Sequence, residues 1–355
     1  MGQYGTLSVL DDLATVNETI AGFGEAELAN RFQQALDVHN AAFADMAGDL
    51  LTVTDRYLLP YAGTDTAIID ELDEWGAADA SKPATAGNVG LPLRIYGGTL
   101  QWTRTYMETY SVARAADKLD AFAAEDLRVF QRNIKRALFK STNTTSYLDR
   151  LQSGLTYPLK ALLNGDGQAI PLGPTGQTFD GATHTHYLAN AGLTAGALNA
   201  TIDTVVEHGV DGEIRLYIAK ANESTVRGLT GFTAYMDARI TVAAGTQIGS
   251  QALDTVNVND RAIGVFGGAE VWVKPWVPAD YHVVLDIGSG VKPLAARTRT
   301  GSFTGTGAFR ILSEHEHFPI RAQNIGREYG VGVLGRHKAA VGYTGGGTYT
   351  IPTFS

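Results

Sequence analysis

The chain is predicted to fold as an α+β protein, and three observations carry that expectation. A helical period runs unbroken from Val112 to Lys140, strand-like alternation flanks that helix and closes the chain, and helix and strand patterns alternate only between about 186 and 305. At 355 residues the sequence lies between one elaborated domain and two or three simple ones.

Taken in order, the first 24 residues hold no sustained period and read as an extended arm. From Glu25, apolar residues recur every three or four positions at Leu28, Phe32, Leu36, His39, Phe43, Met46 and Leu50, one stripe of an amphipathic helix. Residues 54–110 read as a flap. Their acidic and then Ala/Gly/Pro-rich middle, Asp65 to Gly90, cannot bury a core of its own. Beyond it, Leu91–Tyr96 and Leu100–Tyr106 alternate around Gly97-Gly98 and read as strand, turn, strand. A two-stranded flap is marginal alone, so it is expected to lie on its own body or on another chain.

The Val112–Lys140 helix carries Ala115, Leu119, Phe122, Ala123, Leu127, Phe130, Ile134, Ala137 and Leu138 on one stripe. Its acids come early (Asp117, Asp120) and its bases late (Arg136, Lys140), complementing the helix dipole. Residues 147–181 are turn-rich. Helix is then predicted over 193–208, strand over 213–219, a short helix over 223–229, and strands over 261–273 and 282–287. Phe309–Ile320 and Ile325–Val341 read as two long closing strands.

Composition narrows the function classes. A formal charge of −9, from 28 basic and 37 acidic residues, argues against a sequence-independent DNA or membrane binder. The absence of cysteine removes disulfide scaffolds, thiolate metal sites and thiol nucleophiles. Charged residues make up 18%, below the roughly 25% of an ordinary soluble chain. No stretch reaches the roughly 18 to 20 apolar residues of a membrane helix, and no basic residue precedes Arg31, so a secretory leader is not expected. Met1-Gly2-Gln3-Tyr4-Gly5-Thr6 fits the myristoylation template, a short pattern set aside as chance in a Gly/Thr-rich chain.

Four motifs invite a chemical reading. Val283–Gly290 is a strand, an acid and a glycine turn, as in nucleotide cradles, but Lys292-Pro293 follows where a helix is needed. Gly330-Val331-Gly332-Val333-Leu334-Gly335 spells a dinucleotide fingerprint inside a strand-like run, which reads instead as a closely approached strand. His184/His186 and His315/His317 repeat at strand spacing, where alternate residues share a face as metal ligands must. The plain alternative is a polar strand face. No catalytic residue emerges.

The run Leu93–Arg104 feeding the Val112–Lys140 helix looks like the extended-loop return strand and spine helix of the tailed-bacteriophage major capsid proteins, whose fold encapsulin shells share. The closing run Gly326–Val341 is similar to that family's last peripheral strand, and the order of parts resembles the family over essentially the whole chain. The resemblance implies a phage major-capsid fold in five parts: an N-terminal arm (1–53), an extended β-hairpin loop (54–110), a peripheral domain with the spine helix (111–185), an axial α/β domain (186–305), and peripheral strands with a tail (306–355).

It also implies a structural protein and not an enzyme, without cofactor or metal. Pentamers and hexamers would form an icosahedral shell around packaged double-stranded DNA that is not gripped tightly, in the virion, after assembly in the host cytoplasm and without a membrane. Further partners would be a portal, a decoration protein and, because the helix beginning at Glu25 leaves no room for a built-in scaffold, a separate scaffolding protein. Candidate contacts between subunits are Asp70, Glu71, Asp73, Glu74, Trp75, Lys82, Arg94, Trp102 and Arg104. A Lys82–Asn324 cross-link, known in some relatives as a Lys–Asn bond, would further need a Glu in an apolar pocket. The alternatives are an encapsulin-type compartment and a metal-dependent enzyme using His184, His186, His315 and His317.

Overall fold

Two helices built on the expected apolar stripes set the frame. In the computed structural model, which describes residues 13, 17–61, 87–152, 154–209, 212–235, 260–288, 290–317 and 320–354, a one-turn helix α1 (Ile20–Phe23) precedes α2 (Glu25–Leu50). The described end of the arm is therefore not extended; Ile20 and Val112 exchange backbone hydrogen bonds with Tyr110 and Glu18. Helix α2 buries Leu28, Phe32, Leu36, Phe43 and Leu50, with His39 and Asn40 on the same face. A short helix α3 (Arg104–Thr109) leads into the spine helix α4 (Val112–Phe139), which buries Ala115, Leu119, Ala123, Leu127, Phe130, Ile134 and Leu138. Among the described residues, no helix is long and apolar enough to cross a membrane.

Strands gather into two main sheets. The first contains β1 (Leu51–Thr54), β4 (Arg94–Thr103), β13 (Leu294–Arg297), β14 (Arg310–His317) and β15 (Ile320–Val333). Strand β15 is its axis, pairing antiparallel with β14 and β4 at one end and with β13 at the other. Gly97 and Gly98 do not make the expected turn: β4 runs straight through both in register with Gly326 and Ile325. A Cβ at Gly97 would meet the Ile325 carbonyl oxygen at 2.5 Å, and one at Gly98 the Phe122 ring at 2.3 Å, so these glycines admit a neighbouring strand and the spine helix. Gly330 is likewise a close approach, 2.1 Å from its virtual Cβ to the Pro92 carbonyl oxygen, as expected of the fingerprint-like run.

The second sheet has the order β7-β16-β12-β8-β11-β10-β9. Its strands are β7 (Tyr187–Ala189), β8 (Ile214–Ile218), β9 (Phe232–Ala234), β10 (Arg261–Phe266), β11 (Ala269–Val273), β12 (Tyr281–Asp286) and β16 (Ala339–Tyr343). Helices α5 (Ala195–Val206) and α6 (Glu223–Arg227) accompany it, and all six residues of β12 are buried. Among the described residues no helix follows β12 before β13; the chain passes through Lys292-Pro293 into β13 of the other sheet, so the nucleotide-cradle pattern is a crossover. The closing run is also divided, with β15 in the first sheet and β16 inserted between β7 and β12 in the second.

A buried polar knot joins α2, α4 and β15. The Asp126 carboxylate accepts from Arg327 Nη2 at 2.7 Å and from His39 Nε2 at 3.0 Å, Arg327 also donates to Asn40 Oδ1 at 3.1 Å, and its guanidinium lies 3.6 Å from the Phe43 ring centroid. Removing one partner of such a pair strands the other charge in the core, at a cost of roughly 3–5 kcal/mol.

Candidate functional site

The described parts of the predicted flap on either side of residues 62–86 pair as a short ladder, β2 (Leu58–Tyr61) against β3 (Gly87–Gly90), with Tyr61 opposite Gly87. Asp70, Glu71, Asp73, Glu74, Trp75 and Lys82 lie outside the described residues. Two buried arginines fix what surrounds that ladder. Arg336 donates Nε to the Ala161 carbonyl (2.7 Å), both terminal nitrogens to Asp166 (3.2 and 3.1 Å), Nη2 to Leu162 O and Asn164 Oδ1, and Nη1 to the hydroxyl of Tyr61 on the outgoing strand (3.2 Å). Burial pushes the Asp166 carboxyl up, but Arg336, helped by Lys160, outweighs it and holds the group below the usual carboxylate range.

Arg297 holds the returning strand. Its Nη1 donates to the Leu91 carbonyl (3.1 Å), to Asp149 Oδ2 (2.7 Å) and to the Tyr157 hydroxyl (2.8 Å), and its Nη2 bonds Gln152. Burial again raises the Asp149 carboxyl, while hydrogen bonds from Arg297, Tyr157 and the Leu151 amide bring it below its ordinary value. Asp149 and Tyr157 come from a hairpin, β5 (Thr144–Asp149) and β6 (Leu155–Leu159), inside the stretch expected to be merely turn-rich.

The remaining contact candidates spread along β4 and its end. Arg94 stands 5.6 Å from the Tyr147 ring centroid, Trp102 is half-buried beside the α2–α4 contact, and Arg104 is exposed and paired with Glu108. Ile95, Leu312 and Ile320 on β4, β14 and β15 leave 51, 41 and 47% of their surface exposed. Asn324 uses its amide within the sheet, accepting from Thr99 Oγ1 and donating to Ser313 Oγ.

The predicted histidine grouping is redrawn. His184 and His186 do come together, but with His208 and Glu207 at the end of α5, whereas His315 is exposed on β14 and outside this group. The side chain of His317 lies outside the described residues. The three Nε2 atoms form a triangle with sides of 3.2 Å (His184–His186), 3.0 Å (His184–His208) and 3.0 Å (His186–His208). Glu207 Oε1 lies 3.6 Å from His184 Nε2 and 4.0 Å from His208 Nε2. Thr194 caps α5 by accepting from the Ala197 amide, fixing the helix whose far end presents Glu207 and His208. His186 and His208 are buried, and desolvation lowers both imidazoles, His208 to about 3; it lowers the His184 imidazole as well.

No family model matches the sequence, and no curated protein matches it. Solved structures do. A chain titled Mycobacterium phage Patience aligns with a TM-score of 0.65 at 20% identity, covering 96% of this chain and 94% of that one. A cyanophage A-1(L) capsid asymmetric unit gives a TM-score of 0.48 at 11% identity, over 84% of this chain and 92% of that one. The SrpI encapsulin of Synechococcus elongatus PCC 7942 gives 0.42 at 12%, over 87% and 90%. The first of these, a phage chain, shares its fold with this chain over nearly the whole length of both, in agreement with the fold expected from the sequence.

Proposed function

We propose that the chain is a major capsid protein, a non-catalytic subunit that assembles as pentamers and hexamers into an icosahedral shell around packaged double-stranded DNA. The observation that carries this reading is the end-to-end likeness to a phage chain, 96% of one against 94% of the other. The loop base supports it: two buried arginines clamp the outgoing strand at Tyr61 and the return at Leu91, a rigid root for a segment that projects to a neighbour. In this reading residues 1–53 are the arm, 54–110 the loop, 111–185 and 306–355 the peripheral domain, and 186–305 the axial domain, although β13 of the axial range pairs in the first sheet and β16 of the peripheral range in the second. Portal, scaffolding and decoration proteins are the expected partners, with assembly in the host cytoplasm and residence in the virion.

Negative-stain microscopy of the expressed chain, alone and with its genomic neighbours, tests the proposal. Closed shells or hexamer sheets are expected, and uniform small monomers or dimers under both conditions overturn it. Replacing residues 65–85 with a short Gly/Ser linker is expected to leave the subunit folded by circular dichroism but unable to close shells. Wild-type particle yield from that variant removes the bridging role of the loop.

A further inference from the structure

The triangle of imidazole nitrogens cannot satisfy itself. Each Nε2 is either a donor or an acceptor, so among three in mutual contact at least two share the same character. One side of the triangle therefore always sets lone pair against lone pair or N–H against N–H. For His186 the choice is already fixed: its Nδ1 lies 2.6 Å from the Ala339 carbonyl oxygen, which can only accept, so the ring proton sits on Nδ1 and Nε2 offers a lone pair. A hydrogen bond from the second ring nitrogen to a backbone carbonyl is the arrangement that orients a metal-ligating histidine.

The dimensions fit an ion. The centre of the triangle is roughly 1.8 Å from each nitrogen, slightly inside the roughly 2.0–2.1 Å zinc–imidazole bond. A cation at bonding distance thus rests just out of the nitrogen plane, with a fourth position free. Glu207, whose side chain is 40% exposed, is within 4.0 Å of two of the nitrogens and can fill that position by a rotamer change.

Local structure holds the donors in place from separate elements. The His186 amide donates to Leu163 O at 2.8 Å, and its carbonyl accepts from the Val341 amide on β16 at 2.8 Å. His184 accepts from Gly165 through its own carbonyl at 3.0 Å, while His208 follows Glu207, the C-cap of α5, and precedes Gly209 at φ 82°. The Phe179 ring covers the group, 4.2 Å from the His208 ring and 5.0 Å from that of His184, and supplies an apolar wall.

We propose that His184, His186 and His208, through Nε2, and Glu207, through a carboxylate oxygen, bind one divalent ion of the zinc class, which staples the 163–186 segment to the end of α5 and to β16. Three imidazoles with one carboxylate suit zinc, and cobalt as its spectroscopic substitute, over calcium or magnesium, which take oxygen donors. The staple is independent of whether the chain builds shells, because it lies within one subunit.

The test uses the tag-free full-length chain, incubated with zinc or cobalt, desalted, and assayed for metal by mass spectrometry. About one equivalent per chain is expected, with the intense visible bands of four-coordinate cobalt and a higher unfolding temperature with zinc. His184→Ala and Glu207→Gln, at side chains 17% and 40% exposed, are expected to weaken zinc binding at least about tenfold, and His315→Gln is expected to bind as the wild type does. Retention by the wild type no greater than by a His184→Ala/His208→Ala double variant overturns the proposal. Where that variant does not fold, the wild type alone decides: absence of four-coordinate cobalt bands overturns it, and their presence supports it.

Discussion

His282 has no exposed surface on β12, and its Nε2 stands 2.9 Å from the hydroxyl of Thr201 on α5, which itself donates to the Ala197 carbonyl. The imidazole is thus the donor in this pair and neutral, and desolvation pushes its pKa down to about 4. An unfolded chain binds a proton there near pH 6.5, whereas the folded one refuses it until about 4. The contribution is complete above about pH 6.5 and is lost as pH falls toward 4, by about 3 kcal/mol at most. His282→Gln, which keeps an N–H for Thr201, is expected to flatten the dependence of the denaturation midpoint on pH across that window; parallel wild-type and variant curves would refute the assignment. The histidine cluster shows what sequence reveals at this scale. His184 and His186 were legible from their alternate spacing, but Glu207 and His208 belong to a helix end whose approach depends on how α5 docks, and no local pattern encodes that. His315 and His317 mimicked the first pair because spacing alone cannot say which sheet a strand joins.

Elements defined by long periods were legible, as were the strands expected over 213–219, 261–273 and 282–287, but features set by a distant partner were not. The stripes of α2 and α4 match the expected positions because an amphipathic helix writes its buried face every three to four residues. Gly97-Gly98 was read as a turn because paired glycines usually make one, but here they let β4 lie against β15 and the spine helix, a requirement set by residues more than 20 positions away for Phe122 and more than 200 for Ile325. The β5–β6 hairpin was missed for a related reason: among the described residues its strands pair with each other alone, and its worth lies in delivering Asp149 and Tyr157 to Arg297. Gly98→Ala tests the close-approach reading. The added methyl falls 2.3 Å from the Phe122 ring, and overpacking of this kind typically costs about 1–3 kcal/mol. Urea unfolding should show that loss, and Phe122→Leu in the same chain should recover part of it. A Gly98→Ala variant as stable as the wild type would mean that β4 and α4 are not held this close.

At the scale of the whole molecule, the unusual feature is where the apolar surface has been left. Ile95, Leu312 and Ile320 are exposed on three strands of one sheet, and that sheet's axis, β15, is anchored near its middle by the Arg327–Asp126 knot. Under the proposed shell reading, these exposed apolar side chains on a supported sheet are candidate contacts with another copy of the chain. Exchanging all three residues for threonine places β-branched side chains at all three strand positions and removes most of the apolar contact area. Substitutions at exposed positions change stability by about 0.5 kcal/mol or less each, so the triple variant is expected to keep its circular dichroism spectrum and nearly its denaturation midpoint. Particle formation, read by sedimentation and microscopy, should fall sharply. A folded variant that assembles at wild-type yield would show that subunits meet elsewhere, and would move the search for the contact surface to the loop and its arginine-clamped base.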